Sequence, residues 1–274
     1  MSKTWFITGA SRGFGREWAA AALERGDRVA ATARDVATLG DLVQRHGDAV
    51  LPIELDVADR AADIAAVRRA HDAFGRLDVV VNNAGYGQFG MVEEVSEAEA
   101  RAQLDVNLFG ALWISQAALP LMRAQGSGHI LQVSSIGGIV ALPSVGIYNA
   151  SKWALEAFSQ SMAIEVAQFG IKVTIIEPAG YSTDWSGSSA KHAEPDPTYD
   201  EYRAKVQATR AKAAQSAGDP AATAAAVLRL VDAEEPPLRV FFGKAPLAMA
   251  TKEYERRLAT WREWEELSIA AHGG

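Results

Sequence analysis

Short apolar runs rich in β-branched residues alternate along the chain with longer segments in which apolar residues recur every three or four positions. The short runs predict strands, and the longer segments predict amphipathic helices. The predicted strands are residues 4–8, 28–33, 50–55, 77–81, 129–134, 171–176 and 238–242. The predicted helices follow the first strand up to a stop at Gly26 and then cover residues 36–45, 60–74, 100–123, 150–169, 199–215, 220–231 and 252–269. Ser96 and Glu99 fit a capping box just before the helix over residues 100–123. This alternation predicts an α/β fold with a doubly wound parallel sheet.

Composition narrows the classes of function. Apolar residues make up 49% of the 274 positions, and the net charge of −7 argues against nucleic acid or a membrane as partner. There is no cysteine and the histidines are scattered, so we expect no disulfide and no metal site. Apolar runs stay below the ~18 residues of a membrane span. A strand predicted from Thr4 onward leaves no room for a presequence, so we expect a soluble, cytoplasmic protein.

A glycine-rich turn follows the first predicted strand. Thr8 and Gly9 are followed by Gly13 and Gly15, and a helical pattern then begins. This arrangement places backbone N–H groups and a helix N-terminus beneath a phosphate, and glycine allows the close approach. The turn therefore predicts a dinucleotide site in a Rossmann-type domain. We expect one domain over residues 1–274, with a helical C-terminal extension.

Tyr148 and Lys152 lie four positions apart in a predicted helix, so their side chains share one face. An ammonium group beside a phenol stabilises the phenolate and lowers a pKa that starts near ~10. On this interpretation Tyr148 is an acid/base group near neutral pH. The alternative is an ordinary surface tyrosine and lysine.

Distinctive residues follow the ends of several predicted strands. They are Gly13, Asp56, Asn83, Ser135 and Pro178. Ligands bind at the carboxyl edge of open α/β sheets, so we expect these residues to surround one site. Structural alternatives remain for some of them: Asp56 could cap the next helix, Ser135 could simply end a strand, and Asn83 could be mainly structural.

Taken together, these motifs resemble those of the short-chain dehydrogenases/reductases of the compact, single-domain type. Residues 8–15 match the family's TGxxxGxG, and residues 82–85 match its NNAG. Tyr148 and Lys152 match its YxxxK, and Ser135 precedes Tyr148 by 13 positions, the spacing this family shows.

The resemblance covers about residues 4–185, whereas residues 183–274 are where members diverge. It implies an oxidoreductase that transfers a hydride between a nicotinamide cofactor and an alcohol or carbonyl group of a small apolar substrate. Two other functions stay open: an epimerase or dehydratase of the same family, and a protein that senses the dinucleotide without turnover.

The resemblance also implies four catalytic residues: Asn107, Ser135, Tyr148 and Lys152. Tyr148 would exchange a proton with the substrate oxygen, which Ser135 would orient. Lys152 would lower the Tyr148 pKa and hold the nicotinamide ribose. Asn107, in an Asn-Leu-Phe-Gly context, would hold a water that links Lys152 to solvent.

The cofactor residues that the resemblance implies lie along the same edge of the sheet. They are Gly9, Ser11, Arg12, Gly13, Phe14, Gly15, Arg34, Asp56, Val57, Asn83, Ala84, Gly85, Tyr148, Lys152, Pro178, Gly180 and Thr183. Ala179 departs from the family's usual Pro-Gly after the sixth strand, so the turn there could be shifted.

The end of the second strand predicts NADP(H) rather than NAD(H). Ala33 stands where NAD-preferring members place an acidic residue, and Arg34 follows it. A guanidinium suits the 2′-phosphate of NADP, and Arg12 could approach the same phosphate. The alternative for Arg34 is a surface pair with Asp35.

Assembly and the substrate pocket are predicted less directly. By resemblance, two helices should present apolar stripes to other subunits and form a homodimer or homotetramer; the stripes are Leu108, Leu112 and Trp113, and Trp153, Phe158 and Met162. The alternative is that both stripes pack on their own sheet.

Polar residues 183–197 predict a mobile flap. Six residues are candidates for an apolar substrate wall, although each could equally belong to the core: Ile136, Val140, Leu142, Val145, Tyr181 and Trp185.

Overall fold

The computed structural model describes residues 2–273, and a seven-stranded parallel sheet forms its centre. The strands in chain order are β1 (Thr4–Ile7), β2 (Arg28–Ala33), β3 (Val50–Glu54), β4 (Val79–Asn82), β5 (Gln88–Phe89), β6 (Gly128–Val133), β7 (Ile171–Pro178), β8 (Lys191–His192) and β9 (Arg239–Phe242). The central sheet has the order β3-β2-β1-β4-β6-β7-β9, and β5 pairs with β8 separately. The predicted doubly wound sheet is confirmed.

Helices cover both faces of this sheet. They are α1 (Gly13–Glu24), α2 (Gly40–His46), α3 (Arg60–Phe74), α4 (Glu97–Leu104), α5 (Gly110–Gln125), α6 (Gly146–Val166), α7 (Asp200–Ala214), α8 (Ala224–Asp232), α9 (Pro246–Glu263) and α10 (Glu265–Ala270). Because successive strand residues point to opposite faces, Trp5 and Ile7 pack with α1 and α8, whereas Phe6 packs with α3, α5 and α6. The core thus has two layers, one on each side of the sheet.

The helix predicted over residues 100–123 is longer than expected and contains a π-helical segment. The Ser96 hydroxyl and the Glu99 side chain form the predicted capping box at its start. A π segment, Asp105–Phe109, joins α4 to α5 and contains Asn107. By length and composition alone, Glu97–Gln125 could cross a membrane. Its apolar residues, however, include core members that pack against the sheet and α3, as in a core helix of a globular protein.

Other boundaries differ from the predictions in ways that local chemistry explains. The segment predicted as helix 36–45 begins with a 3-10 turn, because Asp35 caps the Ala37 N–H there. The last long helix begins at Pro246 rather than near Lys252, since proline is well suited to the first turn of a helix. Residues 183–197 contain β8, so part of the predicted flap pairs with β5.

The crevice between β1 and β4 is where the strand order reverses direction. Chain connections diverge at this point and leave a groove at the carboxyl edge of the sheet. The glycine-rich turn follows β1, and residues 83–85 follow β4, so both face the groove. The fold therefore brings the two main predicted motifs together.

Candidate active site

The glycine-rich turn has a backbone that only glycine can support at its tightest point. Gly9 and Gly13 have positive φ values of 65° and 57°. A Cβ on Gly15 would lie 2.5 Å from both the Gly9 carbonyl oxygen and the Asn83 amide nitrogen. Real side chains do not fit at such a distance, so the turn depends on glycine.

The first turn of α1 is open to an anion. Arg12 occupies the N-cap position in an extended conformation, and no side chain caps the helix. The leading N–H groups of a helix have no partner within the helix, and they carry the positive end of its dipole. The glycine turn and this helix start together fit the pyrophosphate of a dinucleotide.

Asn83 and Thr8 hold this cradle to the neighbouring strand. The Asn83 side-chain amide donates to the carbonyl oxygens of Thr8 at 2.9 Å and Gly9 at 3.1 Å. The Thr8 hydroxyl accepts the N–H groups of Asn83 and Ala84, both at 2.9 Å. Asn83 therefore lies at the wall of the groove, where its amide fixes the turn.

Tyr148 and Lys152 lie on the buried face of α6, and both side chains are about 5% exposed. The helix begins at Gly146, which places Tyr148 in its first turn and Lys152 one turn later. The Lys152 ammonium donates to the Val133 carbonyl oxygen at 2.8 Å, at the end of β6. The pair is thus directed toward the edge of the sheet, not the surface.

The expected lowering of the Tyr148 pKa by Lys152 is wrong for this structure. Burial raises the Tyr148 pKa to about 12, and a hydrogen bond with Ser135 only partly opposes this. Burial lowers the Lys152 pKa to about 8, opposed by the nearby Glu156 carboxylate. The Lys152 nitrogen lies 6.0 Å from the Tyr148 ring centre and points at Val133, so desolvation outweighs its charge. The Tyr148 phenol is therefore protonated at neutral pH, as a group that could give up a proton has to be.

Of the other two residues of the predicted tetrad, Asn107 lies near Lys152 and Ser135 lies near Tyr148. The Asn107 amide accepts from the Tyr86 N–H at 3.1 Å and donates to the Tyr86 carbonyl at 2.9 Å. Its side chain therefore clamps a peptide of the loop after β4. A Cβ on Gly85 would lie 3.2 Å from the Asn107 oxygen and 3.6 Å from the Lys152 nitrogen, so both polar groups lie beside Gly85.

The Ser135 hydroxyl contacts the Gly137 backbone and also lies near the Tyr148 ring. It accepts the Gly137 N–H at 3.0 Å and so caps a short 3-10 turn. A Cβ on Gly137 would lie 3.4 Å from the Ser135 oxygen and 3.2 Å from the Tyr148 ring. The serine hydroxyl and the phenol therefore border the same small space, where a substrate oxygen could contact both.

The far end of the groove offers an exposed arginine. Arg34 follows the last residue of β2 and is exposed, and no ion pair joins it to Asp35 within residues 2–273. The Asp35 carboxylate instead accepts the Ala37 N–H. Ala33 is buried, with no acidic group in its place. The geometry leaves the Arg34 guanidinium accessible to a phosphate.

Asp56 does not cap the following helix. Asp59 does so, accepting the N–H groups of Ala61 at 2.9 Å and Ala62 at 3.0 Å. The exposed Asp56 carboxylate accepts the Ala58 N–H at 3.1 Å. It therefore stands at the loop after β3, beside the buried Val57, which packs in the core.

Arg12 is directed to the flap rather than toward Arg34. Its guanidinium donates to the hydroxyls of Ser188 at 3.1 Å and Ser189 at 2.6 Å, and it lies 3.5 Å from the Asp184 carboxylate. The expected approach of Arg12 to the same phosphate thus requires these contacts to open.

Phe14 and Ser11 were also predicted to contact the cofactor. The Phe14 ring packs on Trp18 and Tyr181 with ring centres 5.5 and 4.9 Å away, so only its backbone can face the groove. Ser11 lies in the turn between β1 and α1. Both residues belong to the cradle through their position in the chain.

The turn after β7 is held by its neighbour strand. The Ala179 N–H donates to the Phe242 carbonyl at 3.1 Å, and Gly180, not Ala179, takes the positive φ of 67°. Alanine in place of the family's glycine is therefore accommodated. Thr183 comes close to the glycine-rich turn, with methyl and Cβ atoms 3.8 Å from a Cβ on Gly13.

Half of the predicted substrate wall surrounds Tyr148. Leu142, Val145 and Trp185 pack with it, and the Trp185 and Tyr148 ring centres are 4.9 Å apart. Ile136 and Val140 pack instead against the start of α9, and Tyr181 packs against Phe14, so these three residues do not belong to the cluster around Tyr148. Phe89 was not predicted, although it joins the cluster, because nothing in its local pattern marks the strand β5.

The sequence pattern did not predict the buried carboxylate pair formed by Glu156 and Glu177. Glu177 is 1% exposed and Glu156 is 5% exposed. Arg239 binds Glu156 at 3.0 Å and lies 3.4 Å from Glu177. Burial raises the pKa of both carboxyl groups. Glu156 lies one helical turn from Lys152, a spacing that could have suggested a contact, whereas Glu177 gives no signal in its strand.

Comparisons with known proteins agree with this geometry. Residues 3–194 match the family model for short chain dehydrogenases. Oxidoreductase BOA17 of Botryotinia fuckeliana is 44% identical over 277 residues, which cover 99% of this chain and 100% of the relative. A short-chain dehydrogenase from Streptomyces avermitilis has a TM-score of 0.91 and 40% identity, covering 98% of each chain.

Two further neighbours were solved with nicotinamide cofactors. An alcohol dehydrogenase from Thermococcus sibiricus, complexed with 5-hydroxy-NADP, is 27% identical with a TM-score of 0.73, covering 88% of this chain and 96% of its own. A protein from Burkholderia phymatum in complex with NAD is 24% identical with a TM-score of 0.83, covering 94% and 95%, and it supports the fold alone. The groove, the tetrad and these relatives identify the chain as an NAD(P)-dependent oxidoreductase that belongs to the short-chain dehydrogenase/reductase family.

Proposed function

We propose that this protein transfers a hydride between NADP(H) and the alcohol or carbonyl group of a small, apolar substrate. The observation that carries the proposal is the neutral Tyr148 phenol beside Ser135, at the same sheet edge as the glycine cradle. A carbonyl oxygen that gains negative charge needs a positioned acid, and Tyr148 fits that role.

The residues have separate roles in this proposal. The nicotinamide supplies or accepts the hydride when it is bound. The Tyr148 hydroxyl gives its proton to the substrate oxygen in reduction and takes one back in oxidation, while Ser135 orients that oxygen. Lys152 holds the ribose hydroxyls through its ammonium group. Asn107 positions the loop after β4 through the Tyr86 peptide, and a water near it would extend the path to solvent.

The preference for NADP(H) rests on the exposed Arg34 and the absence of an acidic group at Ala33. A guanidinium attracts a 2′-phosphate, whereas a carboxylate would repel it and would bind the free 2′-hydroxyl of NAD. The double variant Ala33→Asp with Arg34→Ala should raise the KM for NADPH far more than the KM for NADH. Steady-state kinetics with both cofactors measures this. Equal kcat/KM values in the wild type, or an unchanged ratio in the double variant, would contradict the preference.

The apolar substrate is supported by the cluster around Tyr148, which includes Phe89, Leu142, Val145 and Trp185. A panel of ketones followed at the reduced-nicotinamide absorbance tests the reaction. A sensor of the dinucleotide would bind the cofactor and turn over none of the panel. The complete tetrad favours the enzyme over this second candidate.

Assembly into a homodimer or homotetramer is part of the proposal, together with a cytoplasmic location. Among the residues of the two predicted stripes, Trp153 is exposed, but the Arg257 guanidinium lies over its ring, 4.6 Å from the ring centre. Met162 is buried in the core, so its assignment to a stripe is wrong. The other stripe residues are half-buried: Leu108, Leu112, Trp113 and Phe158. Light scattering at micromolar concentration should give at least twice 29.3 kDa, and a monomer would contradict the assembly.

A further inference from the structure

Arg210, on the last turns of α7, is a partly buried cation beside the aromatic cluster of the active site. Its guanidinium lies 4.8 Å from the Phe89 ring centre and donates to the Pro143 carbonyl at 2.8 Å. Pro143 belongs to the loop that precedes Tyr148, and Phe89 packs in the cluster with Tyr148 and Trp185. Arg210 therefore borders the proposed substrate pocket at the junction of α7 with that loop.

No carboxylate neutralises Arg210 in the part of the chain that the structure describes. Arg203, which is also half-buried, differs because it binds the Glu94 carboxylate. Arg203 lies seven positions before Arg210 on the same helix, so the two occupy similar faces of α7. Burial lowers the pKa of Arg210 because desolvation is not offset by a negative group.

An arginine has five N–H donors, and the Pro143 carbonyl uses one nitrogen of Arg210. The remaining donors form a planar fork that matches a carboxylate. Desolvating a cation without a partner costs free energy, and a bound anion would recover part of it. Only the surroundings of Arg210 favour an anion, because the chain as a whole carries a net charge of −7 and does not attract anions in general.

The route from Arg210 to the proton donor runs through aromatic rings. The Phe89 and Trp185 ring centres are 5.3 Å apart, and those of Trp185 and Tyr148 are 4.9 Å apart. A substrate with its reacting carbonyl at Tyr148 could therefore extend an apolar body along these rings. Its far end would reach the guanidinium.

We infer that Arg210 binds a carboxylate group of the substrate, so that the substrate class is an apolar, ring-containing keto acid or its hydroxy acid. This inference rests on the proposed function and deepens it. The charge selects the substrate and sets its orientation, whereas the chemistry remains that of the tetrad. Arg210 is thus a specificity residue and takes no part in proton transfer.

The test compares 4-acetylbenzoate with 4-acetylbenzamide, which have nearly the same shape and differ in charge. The wild type should show a KM for the acid roughly 10- to 100-fold lower, as expected for a charge-assisted hydrogen bond. Arg210→Gln should raise the KM for the acid by that factor, leave its kcat nearly unchanged and leave both constants for the amide unchanged. Arg210→Lys should restore part of the preference. Lys212→Gln removes a similar charge from an exposed position on the same helix and is the control, with no expected effect.

Binding to the cofactor-loaded protein, measured by calorimetry, gives a readout that does not depend on turnover. The acid should bind and the amide should bind more weakly, with the difference lost in Arg210→Gln. A wild type that reduces both ketones with equal KM and binds both equally would overturn the inference while the proposed function stands. Equal damage to acid and amide in Arg210→Gln would also overturn it, since it would indicate a structural anchor for the Pro143 loop. Failure to reduce any ketone would contradict the proposed function, and calorimetry would still decide the role of Arg210.

Discussion

Replacing Glu177 with glutamine should stabilise the protein at alkaline pH and leave it unchanged at acidic pH. Glu177 and Glu156 are both buried, and one arginine, Arg239, serves both. Two carboxylates beside one guanidinium cannot both ionise at low cost, because each loses hydration and repels the other. Burial, followed by the charge of Glu156, raises the Glu177 pKa from 4.5 to about 8.

Because the Glu177 pKa is raised in the folded state, the free energy of unfolding falls as pH rises. A carboxyl group whose pKa is higher in the folded state contributes stability that is fully present below pH 4.5 and is lost as pH rises through about 8. One pKa unit corresponds to about 1.4 kcal/mol, so the shift sets an upper limit of roughly 4–5 kcal/mol. Local relaxation reduces this, and we expect roughly 2–4 kcal/mol above pH 8.

The assay is urea unfolding followed by circular dichroism at pH 5, 7 and 9, with the free energy of unfolding compared between Glu177→Gln and wild type. The difference between the two proteins removes contributions that they share, including that of Lys152, whose lowered pKa acts with the opposite sign. Glu165→Gln, at an exposed position of α6, is the control. An advantage of Glu177→Gln that is equal at all three pH values, or largest at pH 5, would refute the reasoning.

The remaining predictions concern the tetrad and the cofactor cradle. Tyr148→Phe should lower kcat by at least ~10²-fold and leave cofactor affinity nearly unchanged, as measured by fluorescence titration, because only the proton donor is lost. A residual kcat above about a tenth of wild type would contradict the general-acid role. Lys152→Ala should damage both turnover and cofactor binding in the same two assays, and unchanged cofactor affinity would rule out its contact with the ribose. Gly15→Ala should weaken cofactor binding by more than tenfold, since its Cβ would meet the Gly9 carbonyl at 2.5 Å, whereas Gly40→Ala, with open space around it, should not. Equal affinities in these two alanine variants would show that the cradle tolerates the added methyl group.

The parts of the fold that the sequence predicted are those in which local pattern and burial coincide. β7 is apolar in nearly every position because both faces of the sheet are covered, so its start at Ile171 was predicted correctly. The glycine spacing at Gly13 and Gly15 reflects steric needs inside a few residues, and these needs are visible in a single chain. The capping box at Ser96 likewise depends on neighbours three positions away.

The parts that the sequence did not predict depend on contacts between distant segments. Met162 has the spacing of an exposed stripe but faces the core, since helical periodicity alone does not tell which face meets the sheet. Tyr181 was assigned to the substrate wall, yet it packs on Phe14, which lies far away in the chain. The pKa of Tyr148 depends on desolvation by the whole surrounding core, which a YxxxK spacing does not contain. Arg210 reaches the pocket only through the fold of the region after residue 183.

The π-helical segment Asp105–Phe109 makes the active site depend on chain length as well as on residue identity. Each residue of a regular α-helix turns the following side chains by about 100°, and a π segment accommodates one more residue in the turn. Deleting a single residue there, such as Val106, would let the backbone close into an uninterrupted α-helix. Residues of α4, including Gln103, which donates to the Tyr86 carbonyl at 3.1 Å, would then rotate away from the loop that Asn107 clamps. Insertions and deletions in this helix would therefore reshape the site even where every motif residue is retained.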